Sequence, residues 1–125
     1  MKGVYLLDAC NIVRAGSWGA RRDDDDAESR EFIDRLERAL APTPRLRVVA
    51  VFDGPRRYRA SGGVLELRFA EGATADAVIL DLARACVHRG LSVSVVSRDR
   101  SLIERAEEEG ARALSPEAFE ARLAR

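Results

Sequence analysis

The 125-residue sequence predicts an α/β fold, with a parallel sheet of four to five strands and helices on both faces. Short β-branched apolar runs alternate along the chain with segments whose apolar residues recur at helical spacing. Strands that alternate with helices are joined by right-handed crossovers, which set the strands parallel. The length suits one domain over residues 1–125 and is too short for two separate cores.

Two predicted strands and one helix occupy the first part of the chain. Residues 2–7 form a short apolar strand that ends abruptly at Asp8. Residues 23–40 place their apolar side chains on one helical face, and prolines end that helix. Residues 46–52 form a β-branched strand that stops at Asp53, before a Gly-Pro turn.

The middle of the chain is predicted to form a loop, an edge strand and a helix. Residues 56–63 are basic and contain glycine, which is typical of an exposed loop. Residues 64–69 alternate apolar and polar side chains, as a half-exposed edge strand does. Thr74 can cap a helix that runs to about His88. Its apolar stripe consists of Ala75, Val78, Ile79, Leu82, Ala83 and Cys86.

The last part of the chain repeats this alternation. Residues 91–96 form a strand that ends just before Asp99, and a helix follows that closes at Gly110. Residues 111–114 form a short strand, and Pro116 occupies the first turn of a final helix.

Composition limits the classes of function. Apolar residues make up 46% and charged residues 34%, a globular rather than a disordered balance. The net charge is zero, so attraction to nucleic acid would have to come from a local basic patch. Lys2 is the only lysine, and arginine is the better bidentate partner for phosphate. No apolar stretch or signal peptide indicates a membrane, and the cytoplasm is the expected compartment.

Four aspartates are expected at one edge of the sheet. Asp8, Asp53 and Asp99 each follow a strand, and Asp76 lies in the first turn of the middle helix. The carboxyl ends of parallel strands share one edge, where ligands bind in such sheets. Four carboxylates there would repel one another unless a cation lay between them. Mg²⁺ or Mn²⁺, which prefer oxygen ligands, would activate water for phosphodiester hydrolysis.

Each aspartate also has a structural interpretation. The negative charge of Asp76 can interact favourably with the dipole of its helix, and Asp99 can be a helix N-cap. Asp53 can stabilise a turn, because it directly precedes a glycine. Asp8 is harder to explain structurally, because it precedes no obvious helix. The acidic run at residues 23–26 is interpreted as a solvated first helical turn, since its side chains point in different directions.

Five segments resemble one known family in the same order. Residues 7–11 (LDACN) resemble the D-G-Y-N signature of NYN domains, which are PIN-like nucleases, and especially of their YacP-like branch. Residues 51–54 (VFDG), 72–76 (GATAD) and 97–99 (SRD) match in the expected order. Residues 109–119 are similar to the closing strand and helix of that family.

The resemblance implies a PIN-like, Rossmann-like sheet and an endoribonuclease that leaves a 5′-phosphate. It implies Mg²⁺ or Mn²⁺ held by Asp8, Asp76 and Asp99, directly or through water, with Asp53 in support. It also implies that Asn11 orients Asp8 or a substrate phosphate. The expected catalytic residues are therefore Asp8, Asn11, Asp76 and Asp99.

Basic residues near the same edge are candidates for RNA binding. Several could hold phosphates, and a tyrosine on the loop after Asp53 could stack a base. These candidates are Arg14, Arg56, Arg57, Tyr58, Arg59, Arg98 and Arg100. Plain solvent exposure is the alternative for each of them. RNA is the expected partner, and association with the ribosome or a homodimer is compatible with the sequence.

Three alternatives stay open. Ala73 and Ala77 stand where the family often has acidic or polar residues, so a weak or inactive RNA- or ribosome-binding adapter is one. A receiver-like domain with Asp53 as phospho-acceptor is another, although no lysine follows the later strand as that class requires. A toxin of a toxin–antitoxin pair would share the nuclease chemistry.

Overall fold

The computed structural model describes residues 3–15, 25–43, 45–60 and 63–123. Strands and helices alternate through most of these ranges. In chain order the elements are β1 (Gly3–Asp8), α1 (Ala9–Arg14), α2 (Asp25–Leu40), β2 (Arg47–Phe52), β3 (Leu65–Phe69), α3 (Ala75–His88), β4 (Ser92–Val96), α4 (Arg100–Glu108), β5 (Arg112–Leu114) and α5 (Pro116–Leu123).

The five strands form one parallel sheet in the order β3-β2-β1-β4-β5. Strands β2 and β3 lie on one side of β1, and the chain then crosses over so that β4 and β5 lie on the other side. Leu7 of β1 lies opposite Val96 of β4, and Asp8 lies opposite Val51 of β2. The residues that follow β1, β2 and β4 therefore meet at one edge, and the change of direction between β1 and β4 opens a crevice there.

Two apolar cores cover the two faces of the sheet. Adjacent residues of β1 face opposite ways, as the strand period of two requires. Leu7 packs with residues of α1, α2 and α5, whereas Leu6 packs with residues of α3 and α4. Both side chains are essentially inaccessible to water. The predicted α/β sheet with helices on both faces is confirmed.

Most predicted elements agree with the observed ones to within a residue or two. The middle helix starts after the Thr74 cap, whose side chain accepts a hydrogen bond from the Ala77 N–H at 3.1 Å. β3 is an edge strand, as predicted. Predicted helical residues 23–24 lie outside the described ranges. In the described part of the chain, no helix is long and apolar enough to cross a membrane.

Helix α1 begins directly after Asp8 and was not predicted from the sequence. The helix has six residues, too few for a repeating apolar pattern, and it follows the strand without a turn. Ala9 and Ile12 are fully buried, so tertiary packing rather than local propensity stabilises it. The inference that Asp8 precedes no helix was therefore wrong, although the Asp8 side chain makes no capping hydrogen bond.

Candidate active site

Asp8 lies at the carboxyl end of the central strand and is only 5% exposed. Its Oδ2 accepts a hydrogen bond from the Ser97 hydroxyl at 2.9 Å. Its other carboxylate oxygen has no hydrogen-bond donor among the residues that the structure describes. Burial raises the pKa of Asp8 to about 6, the Ser97 hydrogen bond opposes this, and the charges of Asp76, Asp53 and Asp99 raise it further. The buried carboxylate therefore lacks compensation for its charge.

Ser97 joins two of the acidic segments. It follows β4 and is 1% exposed. While its hydroxyl donates to Asp8, its oxygen accepts the backbone N–H of Asp99 at 3.0 Å. Ser97 belongs to the matching Ser-Arg-Asp segment, but no role was predicted for it. Its position two residues before Asp99 was the available signal, because a serine there can bond the backbone at the start of a helix.

Asn11 lies in α1 and contacts the segment after β4. Its side-chain oxygen accepts the backbone N–H of Arg98 at 2.9 Å and lies 3.3 Å from the Ser97 hydroxyl. Because a backbone N–H can only donate, this contact identifies the oxygen end of the amide. The Asn11 nitrogen is left with two N–H donors and no acceptor within the described ranges. Asn11 thus contacts Ser97 and Arg98, and within the described residues it makes no hydrogen bond to Asp8 itself.

Asp99 and Asp53 each use one carboxylate oxygen to hold the start of a helix. Asp99 caps α4 by accepting from the backbone N–H groups of Ser101 and Leu102, at 3.0 and 3.4 Å. Asp53 accepts the backbone N–H of Ala75 at 2.9 Å, across 22 residues. The Asp53 contact ties the first turn of α3 to the end of β2, and this turn carries Asp76. Both carboxylates retain a second oxygen for other contacts.

Asp76 is partly exposed and has a cationic partner that the sequence analysis did not identify. Arg105 of α4 donates to Asp76 Oδ2 at 3.3 Å. Burial and the charges of Asp99 and Asp53 raise the pKa of Asp76, and Arg105 opposes them. Asp81, five residues farther along the same helix, pairs with Arg84 at 3.3 Å.

The donor set fits a partly hydrated divalent cation. Three further carboxylates lie close enough to raise the pKa of Asp8, and one oxygen of the buried Asp8 has no donor among the described residues. Yet within residues 3–15, 25–43, 45–60 and 63–123, no three acidic, histidine or cysteine side chains are arranged to hold an ion by themselves. Mg²⁺ usually keeps several waters and takes one or two carboxylates. Its chemistry therefore matches this open arrangement better than a closed cage.

Tyr58 does not occupy the exposed position that was predicted. Its side chain is 8% exposed, and its ring packs against Phe52 and Phe69 with centroids 5.4 and 6.1 Å apart. The Tyr58 hydroxyl donates to Asp26 Oδ1 at 2.6 Å. A base could stack on this ring only by displacing its neighbours, so the stacking prediction is corrected to a packing role. Asp26 lies in the first turn of α2, and its half-exposed carboxylate also forms an ion pair with Arg57 at 3.7 Å.

The two arginines that precede Tyr58 have different surroundings. Arg57 lies 3.7 Å from Asp26 and lines a cavity of about 280 Å³, together with Arg14 and Asp53. The guanidinium of Arg56 lies over the ring of Phe69, 5.6 Å from its centroid. Arg14 and Arg57 are therefore the predicted RNA-binding arginines that share a cavity with Asp53.

The other predicted arginines lie farther round the edge. Arg59 is exposed on the loop after β2, and Arg100 is exposed in the first turn of α4. Arg98 is exposed but forms an ion pair with Glu117 of α5. Arg59 lines cavities with Arg57 and with Arg56, whereas Arg98 and Arg100 line a separate one.

Comparisons with known proteins agree with this fold. The sequence profile described as YacP-like NYN domain matches residues 5–125. A crystal structure of a tryptophan-to-leucine mutant of Rae1 (YacP) from Bacillus subtilis is similar at a TM-score of 0.74 and 25% identity, covering 98% of this chain and 75% of that chain. A second Rae1 (YacP) structure has a TM-score of 0.71 and 19% identity, over 97% and 73% of the two chains, which supports the fold alone. No curated protein sequence matches the chain.

Proposed function

The chain belongs to the YacP-like NYN domain family, which is related to the PIN nucleases, and from that membership we propose that it is a divalent-metal-dependent endoribonuclease. One observation carries the proposal. A buried aspartate at the end of the central strand has a carboxylate oxygen with no donor in the described structure, and three further carboxylates raise its pKa. A nuclease of this class needs such an uncompensated acidic centre to bind a cation.

Asp8, Asp76 and Asp99 are the proposed residues that hold Mg²⁺ or Mn²⁺, with Asp53 in support. When bound, such an ion would activate water and offset the charge that develops on the phosphate. The protein contributes positioning. Asp8 is held by Ser97, and the first turn that carries Asp76 is held by Asp53, so both carboxylates are oriented before a ligand arrives.

Asn11 is proposed to bind the substrate rather than the cation. Its oxygen is occupied by the Arg98 N–H, which leaves the amide nitrogen as the available end. A neutral N–H donor beside an acidic centre suits a phosphate oxygen, because it adds no charge that would compete with the ion. Arg14 and Arg57, which line the cavity next to Asp53, are the proposed contacts for a neighbouring phosphate.

The test is cleavage of single-stranded and structured RNA by the purified chain in Mn²⁺ and in Mg²⁺. We expect Asp8→Asn and Asp76→Asn to abolish cleavage. Asp81→Asn is the matched control for Asp76→Asn, because it changes an aspartate on the same helix that pairs instead with Arg84. Cleavage that survives both site substitutions would contradict the metal-site assignment.

A catalytically weak RNA-binding adapter is the second candidate. It is favoured by the use of Asp53 and Asp99 as helix-capping groups, since each has one oxygen committed to the backbone. An adapter would bind RNA without cleaving it, and Arg56→Ala with Arg57→Ala would abolish the binding. Phosphorylation of Asp53 by acetyl phosphate would instead indicate receiver chemistry, which the family membership does not favour.

A further inference from the structure

Arg105 is the only cation that contacts any of the four site aspartates within the described part of the chain. Its Nη2 lies 3.3 Å from Asp76 Oδ2. The two side chains are 49% and 33% exposed, so the pair lies at the mouth of the site. A surface ion pair of this kind contributes little to stability. Fold stability alone is therefore a weak reason for an arginine at this position.

The helix that carries Arg105 also carries part of the acidic site. Asp99 caps the start of α4, and Arg105 lies about a turn and a half farther along the helix. The Arg105 Nε donates to the Ser101 carbonyl at 3.4 Å, which draws the guanidinium back toward the start of the helix. The guanidinium therefore lies on the same side of α4 as the acidic edge of the sheet.

Most of the donors of Arg105 remain open. A guanidinium has five N–H donors, and the described residues accept from Arg105 only at Asp76 and at Ser101. The remaining N–H groups lie beside an acidic centre but have no protein acceptor within the described ranges. Such a planar fork matches two oxygens of a phosphate group.

We propose that Arg105 is a catalytic residue that binds a non-bridging oxygen of the phosphate at which RNA is cut. This inference rests on the proposed nuclease function. Asp76 orients the guanidinium, and the open donors face the phosphate that the acidic site would receive. In this role Arg105 stabilises the negative charge that grows on the phosphate oxygens during hydrolysis.

The experiment compares Arg105→Ala and Arg105→Lys with the matched control Arg84→Ala. Arg84 is similarly exposed and also pairs α3 with the end of α4, through Glu109 at 2.7 Å, but it contacts none of the site aspartates. Three quantities are measured: cleavage rate in Mn²⁺, Mn²⁺ affinity of the RNA-free protein, and RNA affinity in an Asp8→Asn background. The RNA probe is a fluorescein-labelled single strand titrated at several salt concentrations.

We expect Arg105→Ala to lower kcat by about 100-fold. It should also remove one phosphate contact, which changes the slope of log RNA affinity against log salt concentration by about 0.7. Arg105→Lys should retain part of the cleavage rate and part of the salt dependence of RNA binding. Mn²⁺ affinity should stay unchanged or increase, because a cation has been removed from beside Asp76. Arg84→Ala should change none of the three quantities.

Three results would overturn the proposal. One is that Arg105→Ala behaves like Arg84→Ala, and another is that it cleaves faster than the wild type. The third is a parallel loss of Mn²⁺ affinity and rate, which indicates that Arg105 only positions Asp76. If the wild-type chain cleaves no RNA, the proposed function fails, while the salt slope still decides whether Arg105 contacts a phosphate.

Discussion

The Ser97 hydroxyl lies 2.9 Å from Oδ2 of Asp8, across 89 positions of the chain. This hydrogen bond joins the end of β4 to the end of β1, the two strands between which the chain changes direction. Since the same hydroxyl accepts the Asp99 N–H, one buried serine sets the distance between two segments that carry site carboxylates. The geometry of the acidic edge thus depends on a residue that is not itself acidic.

Ser97→Ala should lower Mn²⁺ affinity or cleavage by about 10- to 100-fold, because a residue that orients a metal ligand is lost. It should also cost about 1–3 kcal/mol of stability, since the buried Asp8 would lose its only described donor. Ser94→Ala, on β4 just before Ser97 and also buried, is the control that should spare the site. Wild-type cleavage and affinity in Ser97→Ala would contradict the positioning role.

The metal-free protein should lose stability as the pH rises through the range in which Asp8 ionises. The folded-state pKa of Asp8, about 6, lies above its ordinary value of 3.8. A group with a raised pKa contributes its stability below pH 4 and loses it as the pH passes about 6. Asp8→Asn removes this dependence of stability on pH. The stability of the variant relative to the wild type should therefore increase by about 2 kcal/mol between pH 4.5 and pH 7.5. Urea unfolding in EDTA at both pH values measures the change, and a pH-independent difference would contradict it.

Mn²⁺ should stabilise the wild-type chain against thermal unfolding. A cation that binds only the folded state adds about 2.7 kcal/mol at one hundred times its dissociation constant. The effect should be larger at pH 7.5 than at pH 5, since at the lower pH a proton competes for Asp8. Asp8→Asn should lose most of the shift, and Asp81→Asn should keep it. An equal shift in all three proteins would mean that the ion binds elsewhere.

Tyr58→Phe should cost about 1 kcal/mol of stability, because it removes the hydroxyl that donates to Asp26 but keeps the packed ring. Tyr5→Phe is the control, since its hydroxyl accepts from an exposed arginine at 3.3 Å and should contribute less. RNA affinity should change little in Tyr58→Phe. If Tyr58 stacked a base instead of packing in the core, Tyr58→Ala would lose RNA affinity and keep its stability. That result would contradict the packing role.

Sequence patterns predicted the helices and strands that are long enough to repeat their apolar spacing. The apolar stripe of α3 and its Thr74 cap placed that helix within a residue, because both signals are local. Helix α1 was missed, since six residues carry less than two turns of pattern. Three of the four aspartates were predicted from their positions after strands, which end at one shared edge of a parallel sheet, and Asp76 from its place in the first turn of α3.

The contacts around the site could not be predicted in the same way. Arg105 lies 29 positions from Asp76, and Tyr58 lies 32 positions from Asp26. Nothing in the local sequence distinguishes Arg105 from the other arginines, or Tyr58 from an exposed loop residue. Which partner each side chain has depends on how α4 packs beside α3 and how the loop after β2 folds onto α2.

By itself, the sequence determined the α/β class, the order of most elements and the four aspartates at their ends. These follow from periodicity and from the rule that parallel strands end together, which are properties of a few neighbouring residues. Only the tertiary structure decided that Asp8 is buried with an unpartnered oxygen, that Ser97 holds it, and that Arg105 contacts Asp76. Burial and long-range contacts depend on which segments pack together, and a charge acquires its unusual pKa only when that packing removes its water.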